Sequence, residues 1–222
     1  MNGSMAGETT IDLAGLRREY TRGGLRRADL ACDPLVQFQK WFEQAMTAQL
    51  LEPSAMALAT ADAQGQPSVR TVLLKGVDGR GFIFFTNYES RKAREMAVNP
   101  RAALNIYWAE LERQVCIAGS VTKTSRAESE AYFGKRPRGS QLGAWVSRQS
   151  AAVADRAFLE QRLAEVESEF SNGEVAAPPY WGGYILAPQE IEFWQGRPNR
   201  LHDRFRYLLQ PDHSWRIDRL SP

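Results

Sequence analysis

Short β-rich runs follow one another through the middle of this chain, at 55–61, 68–75, 82–86, 102–108 and 113–122, mostly with turns rather than helices between them. Gln64–Gly65 and Asp78–Gly79 supply two of those turns. Strands this close in sequence pair as antiparallel neighbours, because a parallel crossover needs a dozen or more residues. Further runs at 181–186, 189–193, 205–209 and 215–218 return to the same pattern near the C-terminus. The strand–helix alternation of a doubly wound sheet is missing, as is any GxGxxG or GxxxxGKS/T sequence. The expected fold is mainly β with α (α+β), an antiparallel barrel with helices packed around it.

Helices fit the remaining gaps. Asp33–Pro34 reads as an N-cap with proline at the first helical position, and Leu35, Phe38, Trp41, Phe42, Ala45 and Met46 then form one apolar face of a helix ending near Leu51. Ser90 caps a helix that Asn99–Pro100 ends. Ser125 to Glu128 is a capping box opening a helix that stops before Pro137. A longer amphipathic helix is expected over 155–170, closed by Asn172–Gly173, and a brief one over 11–20 before Gly23–Gly24. Residues 1–15 are expected to be a disordered leading segment and 16–222 a single domain.

A chain of 222 residues can bury a full core. Its net charge of +2 argues against a polyanion partner, and nucleic acid is not expected. The arginines instead gather in short clusters, Arg17/Arg18, Arg26/Arg27, Arg136/Arg138 and 197–206, which suits several small anionic ligands. Arg26/Arg27 read as surface rather than as a second anion site. Cys32 and Cys116 lack metal-type spacing and are expected to be reduced. No signal-peptide pattern and no long apolar run is seen, so a cytoplasmic protein without membrane contact is expected.

Four groups of residues carry chemistry. Arg91 and Lys92 fall in the first turn after Ser90, where cations oppose the helix macrodipole; they are either surface charges or the floor of a phosphate site. Arg70 and Lys75 bracket an apolar strand and, five residues apart, fall on opposite faces by simple alternation, so they serve two ligands, or a bulge re-aims one, or both reach water at the strand ends. Tyr132 and Arg136 share a helix face at i, i+4, with Ser140 capping the next segment; this is a phosphate cup or a surface Tyr–Arg stack. In the stretch from Trp194 to Phe205, Arg200, His202 and Arg204 alternate and share one strand face beside Trp194. Two flanking arginines keep that imidazole neutral and able to accept a hydrogen bond.

These groups, with LRREYTRGGLRR (16–27), RTVLLK (70–75), FFTNYESRKA (84–93), LERQV (111–115), RPRGSQLGAWVSRQS (136–150), IEFWQGRPNRLHDRF (191–205) and WRIDRLSP (215–222), resemble the pyridoxamine 5′-phosphate oxidase family from Leu16 to the C-terminus. The resemblance implies a split β-barrel flavoprotein of Greek-key type, a homodimer with FMN at the subunit interface and with C-terminal strands for dimerisation. It implies oxidation of pyridoxamine or pyridoxine 5′-phosphate to pyridoxal 5′-phosphate, with dioxygen reduced to peroxide. Arg70, Thr71, Val72, Leu73, Leu74, Lys75, Phe85, Thr86, Arg91, Lys92, Gln114, Gln149, Ser150, Trp194 and Arg204 would then line FMN. Lys75, Tyr132, Arg136 and Ser140 would hold the substrate phosphate, Arg200 and His202 would position its ring as the catalytic pair, and Arg17 with Tyr20 would close over it. Phe85 stands where the family pattern leads one to expect tyrosine, and Arg197–Pro198–Asn199 is a local variation. A split-barrel reductase with another substrate, or a flavin carrier, would lack reason to keep the substrate residues together.

Overall fold

The computed structural model describes Gly15, residues 19–171 and residues 173–222. The expected helix over 11–20, the disordered leading segment and Arg17 fall wholly or mostly outside these residues, as does Asn172 of the expected helix stop.

Helix α1 (Pro34–Thr47) starts as its sequence demands: the Asp33 carboxylate accepts the Leu35 N–H at 2.7 Å, with Pro34 at the first position. It ends at Thr47, short of Leu51, with left-handed Gln49 and Glu52 following. The hairpin β1 (Ala55–Ala61) and β2 (Pro67–Leu73) comes next, then β3 (Gly76–Asp78), β4 (Gly81–Asn87), α2 (Arg91–Val98), β5 (Arg101–Trp108) and β6 (Arg113–Lys123). Helices α3 (Arg126–Gly134), α4 (Arg138–Val146) and α5 (Arg156–Glu169) follow, and β7 (Trp181–Gln195), β8 (Asp203–Leu209) and β9 (Trp215–Leu220) close the chain. All pairings are antiparallel, in the order β2-β1-β5-β6-β7-β4-β3, with β8 joining β7 to β9.

Strand β7 organises the sheet. The runs expected at 181–186 and 189–193 are halves of this one strand. Its first half pairs with β4, from Trp181 to Leu186, and its second with β8, from Glu190 to Gln195, while β6 follows it along the other edge. The change of partner falls at Pro188, which has no N–H for a ladder and is tolerated because the register slips there, between Ala118 and Gly119. Gly119 is required at the bulge: a Cβ would sit 2.0 Å from the Ala187 carbonyl oxygen.

One sheet face is buried and the other is not. Met56, Leu58, Leu104, Ile106, Ile117 and Ile191 turn inward toward α1. Phe38 meets Phe82 edge-on at 4.9 Å and Trp41 meets Phe193 at 5.1 Å. Each such ring contributes about 1.5–3 kcal/mol by leaving water. The alternate residues of β1 are Ala55, Ala57, Ala59 and Ala61, continued by Ala103 and Ala118, so the outer face is flat and partly exposed. A second cluster, Phe133, Leu142, Val166, Val175, Ala177 and Trp181, joins α3, α4 and α5 to the start of β7. Both cysteines are free thiols. No helix among the described residues is long and apolar enough to cross a membrane.

Candidate functional site

The residues singled out by sequence fall into three groups along β7. The first surrounds the N-terminus of α2, where Ser90 caps the helix. The Lys92 ammonium donates to Gln149 Oε1 at 2.8 Å, Thr86 Oγ1 at 3.1 Å and Ser90 Oγ at 3.4 Å. Lys92 is only 7% exposed, and none of these partners is charged. Burial, with Arg70 nearby, pulls its pKa down to about 8. Ser150, in a left-handed conformation, accepts the Arg91 N–H at 3.1 Å.

Arg70 joins the same group through a residue that sequence reading did not select. Glu95 takes the Arg91 Nε on one oxygen at 2.8 Å; on the other it accepts from Ser68 at 2.6 Å, from Thr60 and from Arg70 at 3.4 Å. Arg70 therefore lies mid-strand in β2 with its charge paired, rather than reaching water at a strand end. Thr71, Val72 and Leu73 complete β2, and Leu74 is buried in the core beyond it. Lys75 lies outside the strand, exposed, with its N–H on Ile83 O at 2.8 Å. It lines a cleft with Phe38, Phe42, Glu43 and Val77 that contains none of Tyr132, Arg136 and Ser140.

The second group lies between α3 and α4, and its local structure differs from the expected one. Helix α3 ends at Gly134, so Arg136 lies past it instead of sharing a helix face with Tyr132. Pro137, not Ser140, is the N-cap residue of α4; Ser140 stands inside the first turn with its N–H on Pro137 O at 2.8 Å. Tyr132 and Arg136 still meet the same aromatic surface. Tyr132 stacks on Phe85 at 4.1 Å, Phe85 on Trp181 at 5.4 Å, and the Arg136 guanidinium lies 4.8 Å over the Trp181 ring. The Arg136 Nη1 is buried without a hydrogen-bond partner, and burial lowers the guanidinium's pKa. Phe85 thus contributes its ring here, where a tyrosine hydroxyl is not needed for the stack.

The third group is at the far end of β7. Arg200 and His202 do not lie on a strand face: residues 198–200 form a short 3-10 turn with Asn199 and Arg200 at positive φ, and only Arg204 is in β8. The turn nevertheless sets His202 4.7 Å from Trp194, and Tyr20 meets both rings edge-on at 5.6 and 5.5 Å. Gln114 and Arg204 flank Trp194 on the adjacent strands. His202 Nδ1 accepts the Arg197 N–H at 3.2 Å, as a neutral imidazole does. Burial, then Arg200 and Arg204, hold its pKa below the ordinary value.

Most cations around this third group are paired, Arg200 being the exception among the described residues. Glu192 grips Arg204 at 2.7 and 3.0 Å, and Asp203 holds Arg219 at 2.8 Å and Arg197 at 3.6 Å. Tyr20 is held in place by its neighbours: Arg22 donates its N–H to Glu112 Oε2 at 2.8 Å, and Gln195 Nε2 donates to the Arg22 carbonyl at 3.1 Å. Gly196 must lack a side chain, since a Cβ would approach the Tyr20 ring to 2.7 Å. Arg26 is engaged by Asp29 at the surface.

The first and third groups are far apart within one chain. Thr86 pairs with Gly182 and Arg204 with Trp194, a separation of roughly 40 Å along β7 if the strand were straight.

Comparison with known proteins places the chain in a family. Residues 42–170 match the family model described as pyridoxamine 5′-phosphate oxidase, and residues 181–222 match the pyridoxine 5′-phosphate oxidase C-terminal dimerisation region. The chain is 58% identical to the pyridoxine/pyridoxamine 5′-phosphate oxidase of Rippkaea orientalis, over 96% of this chain and 100% of that one. It is 59% identical to that of Cupriavidus taiwanensis, over 95% and 99%. Among solved structures it is similar to PhzG from Burkholderia lata 383 in complex with tetrahydrophenazine-1-carboxylic acid, with a TM-score of 0.85 and 32% identity over 90% of this chain and 99% of that one. The split β-barrel, α+β architecture expected from the motifs is therefore the observed one, and the chain belongs to the pyridoxamine 5′-phosphate oxidase family.

Proposed function

We propose that this protein is an FMN-dependent oxidase that converts pyridoxamine or pyridoxine 5′-phosphate to pyridoxal 5′-phosphate, working as a homodimer. The observation that carries this reading is two cations without a carboxylate partner among the described residues, the buried Lys92 and the half-buried Arg136 with its buried Nη1. An isolated buried charge is costly, and a bound phosphate at each removes the cost. Two separate anion sites fit two separate phosphates, one on the cofactor and one on the substrate.

In this reading Lys92, Arg91, Arg70, Thr86, Gln149 and Ser150 hold the FMN phosphate, with the main chain of 71–75 and 85 beside it. Tyr132, Arg136 and Ser140 hold the substrate phosphate, with Lys75 reaching it from a neighbouring element. When bound, FMN would accept a hydride from substrate C4′ at N5 and pass the electrons to dioxygen, giving hydrogen peroxide. The protein's part is placement: a phosphate gripped far from C4′ fixes the pyridine ring at low entropic cost. Arg200 and the neutral His202 would orient that ring, Trp194, Gln114 and Arg204 would border the flavin, and Tyr20, with Arg17, would cover the opening.

The two ends of β7 are too far apart to surround one flavin, so the partner subunit completes each site. The flat alanine face of β1, β5 and β6, continuous with Gln114, Trp194 and Arg204, is the surface suited to receive it. Anaerobic mixing of the FMN-loaded protein with pyridoxamine 5′-phosphate tests the reaction. Bleaching of the flavin, then peroxide release on admitting air, is expected; an unbleached flavin contradicts the reading.

A further inference from the structure

Glu95 is a buried acid in a group of cations that would need their charge for an anion. It is 5% exposed, on the inner side of α2 against the β1–β2 hairpin. Burial pushes its carboxyl up, but bonds from Ser68, Thr60 and Arg91 more than offset this and hold it at about 2, so it stays ionised. A negative charge beside a phosphate site weakens anion binding by simple Coulomb repulsion. Its presence therefore calls for a compensating gain, and the hydrogen bonds indicate what it is.

Glu95 takes Arg91 through Nε alone, leaving both terminal amino groups of that guanidinium with no bond to the described residues. It takes Arg70 through Nη2, which also donates to Ser68, while Arg70 Nη1 is held by Leu58 O and Thr60, so that only Nε is left without an acceptor among the described residues. Two arginines from different elements, a strand and a helix, are thus fixed by one carboxylate, Arg91 with both terminal amino groups left over and Arg70 with its Nε. We propose that Glu95 is a positioning residue for the cofactor phosphate: it sets Arg70 and Arg91 in a fixed pair beside Lys92 so that their remaining donors converge on one anion. Thr60 and Ser68 hold the carboxylate itself in place. The proposal rests on the reading of this group as the FMN phosphate site.

Titrating apoprotein with FMN and, separately, with riboflavin tests it, since riboflavin has the same ring without the phosphate. Flavin fluorescence gives the affinities of the wild type, Glu95→Gln and Glu95→Leu, and a thermal melt of each apoprotein reports folding. Glu95→Gln keeps the shape but presents an amide N–H to Arg91, and should weaken FMN by about 10-fold; Glu95→Leu should weaken it by about 100-fold. Riboflavin affinity should stay within about twofold in both, because the phosphate is the group that Arg70 and Arg91 would meet. Should the leucine variant not fold, the isosteric glutamine variant carries the test. Loss of a nearby negative charge alone would tighten FMN, so unchanged or tighter FMN binding by Glu95→Gln overturns the proposal. Equal weakening for riboflavin also overturns it, by showing a merely structural role. A wild type that binds riboflavin as tightly as FMN would instead remove the phosphate-site reading itself, and the role of Glu95 with it.

Discussion

The two ends of β7 treat charge in opposite ways. Around its beginning, Lys92 is buried with uncharged partners and Arg136 is half-buried with an unsatisfied nitrogen. Around its end, Arg204, Arg197 and Arg219 are each matched by Glu192 or Asp203, and the histidine between them is held neutral. The beginning is built on regular elements, the first turns of α2 and α4 and the ladder of β4. The end is built on a turn with two residues at positive φ. Cations without carboxylate partners on a rigid frame grip an anion; cations held by carboxylates around a neutral ring shape a space. The difference separates anchoring from orientation.

Variants at the two ends should therefore fail differently. The largest effect is expected at the orienting end. Arg200→Ala and His202→Ala should retain FMN yet lower kcat by about 100-fold, the scale of a misplaced reacting centre. Wild-type turnover in both purified variants would remove that end from the reaction. At the anchoring end, Lys92→Met should weaken FMN by about 10- to 100-fold, as loss of a charge-assisted bond does, with the substrate KM little changed once flavin is saturating. Arg136→Ala should raise KM by about 10-fold or more at nearly constant kcat, and an unchanged KM would exclude it from the substrate-phosphate site.

A smaller effect comes from pH. The Lys92 ammonium has a pKa of about 8 against an ordinary 10.5. Above about pH 8 the apoprotein loses this proton, so FMN affinity in the wild type should fall by up to about tenfold per unit. Apoprotein stability should move the other way. The unfolded chain binds more protons than the folded one between about 8 and 10.5, so stability rises with pH across that window. Lys92→Met should abolish both trends. The smallest effect is expected for Glu112→Ala, which frees the Arg22 N–H that helps hold Tyr20: substrate KM should rise about threefold to fivefold, with FMN affinity unchanged.

Much of this was readable in the sequence where a local rule acted alone. Strand β1 has the bounds that its alternation of alanine with Met56, Leu58 and Thr60 prescribes, and the Ser125–Glu128 capping box opens α3 as expected. Helix α4 was missed because Gly139 and Gly143 weaken its propensity and Pro137 offers no capping side chain. Alternation at 200, 202 and 204 suggested a strand face, but Asn199 and Arg200 at positive φ override the period. The histidine reaches Trp194 through the turn instead. Glu95 had one local signal, its i, i+4 relation to Arg91; its partners Thr60, Ser68 and Arg70 lie a strand hairpin away and only the fold brings them together. The separation of the two ends was likewise invisible until the halves of β7 proved to be one strand.

The central claim is that an anchoring end from one subunit works with an orienting end from its partner. Mixing Arg136→Ala with His202→Ala under conditions that exchange subunits tests it most directly, because each mixed dimer would then contain one site with both ends intact. With substrate well below the wild-type KM, where both separate variants are slow, the account predicts recovery to about a quarter of wild-type activity, half the dimers being mixed and half their sites whole. No recovery above the separate variants, with exchange verified, would place both ends of a site in one subunit and contradict the account.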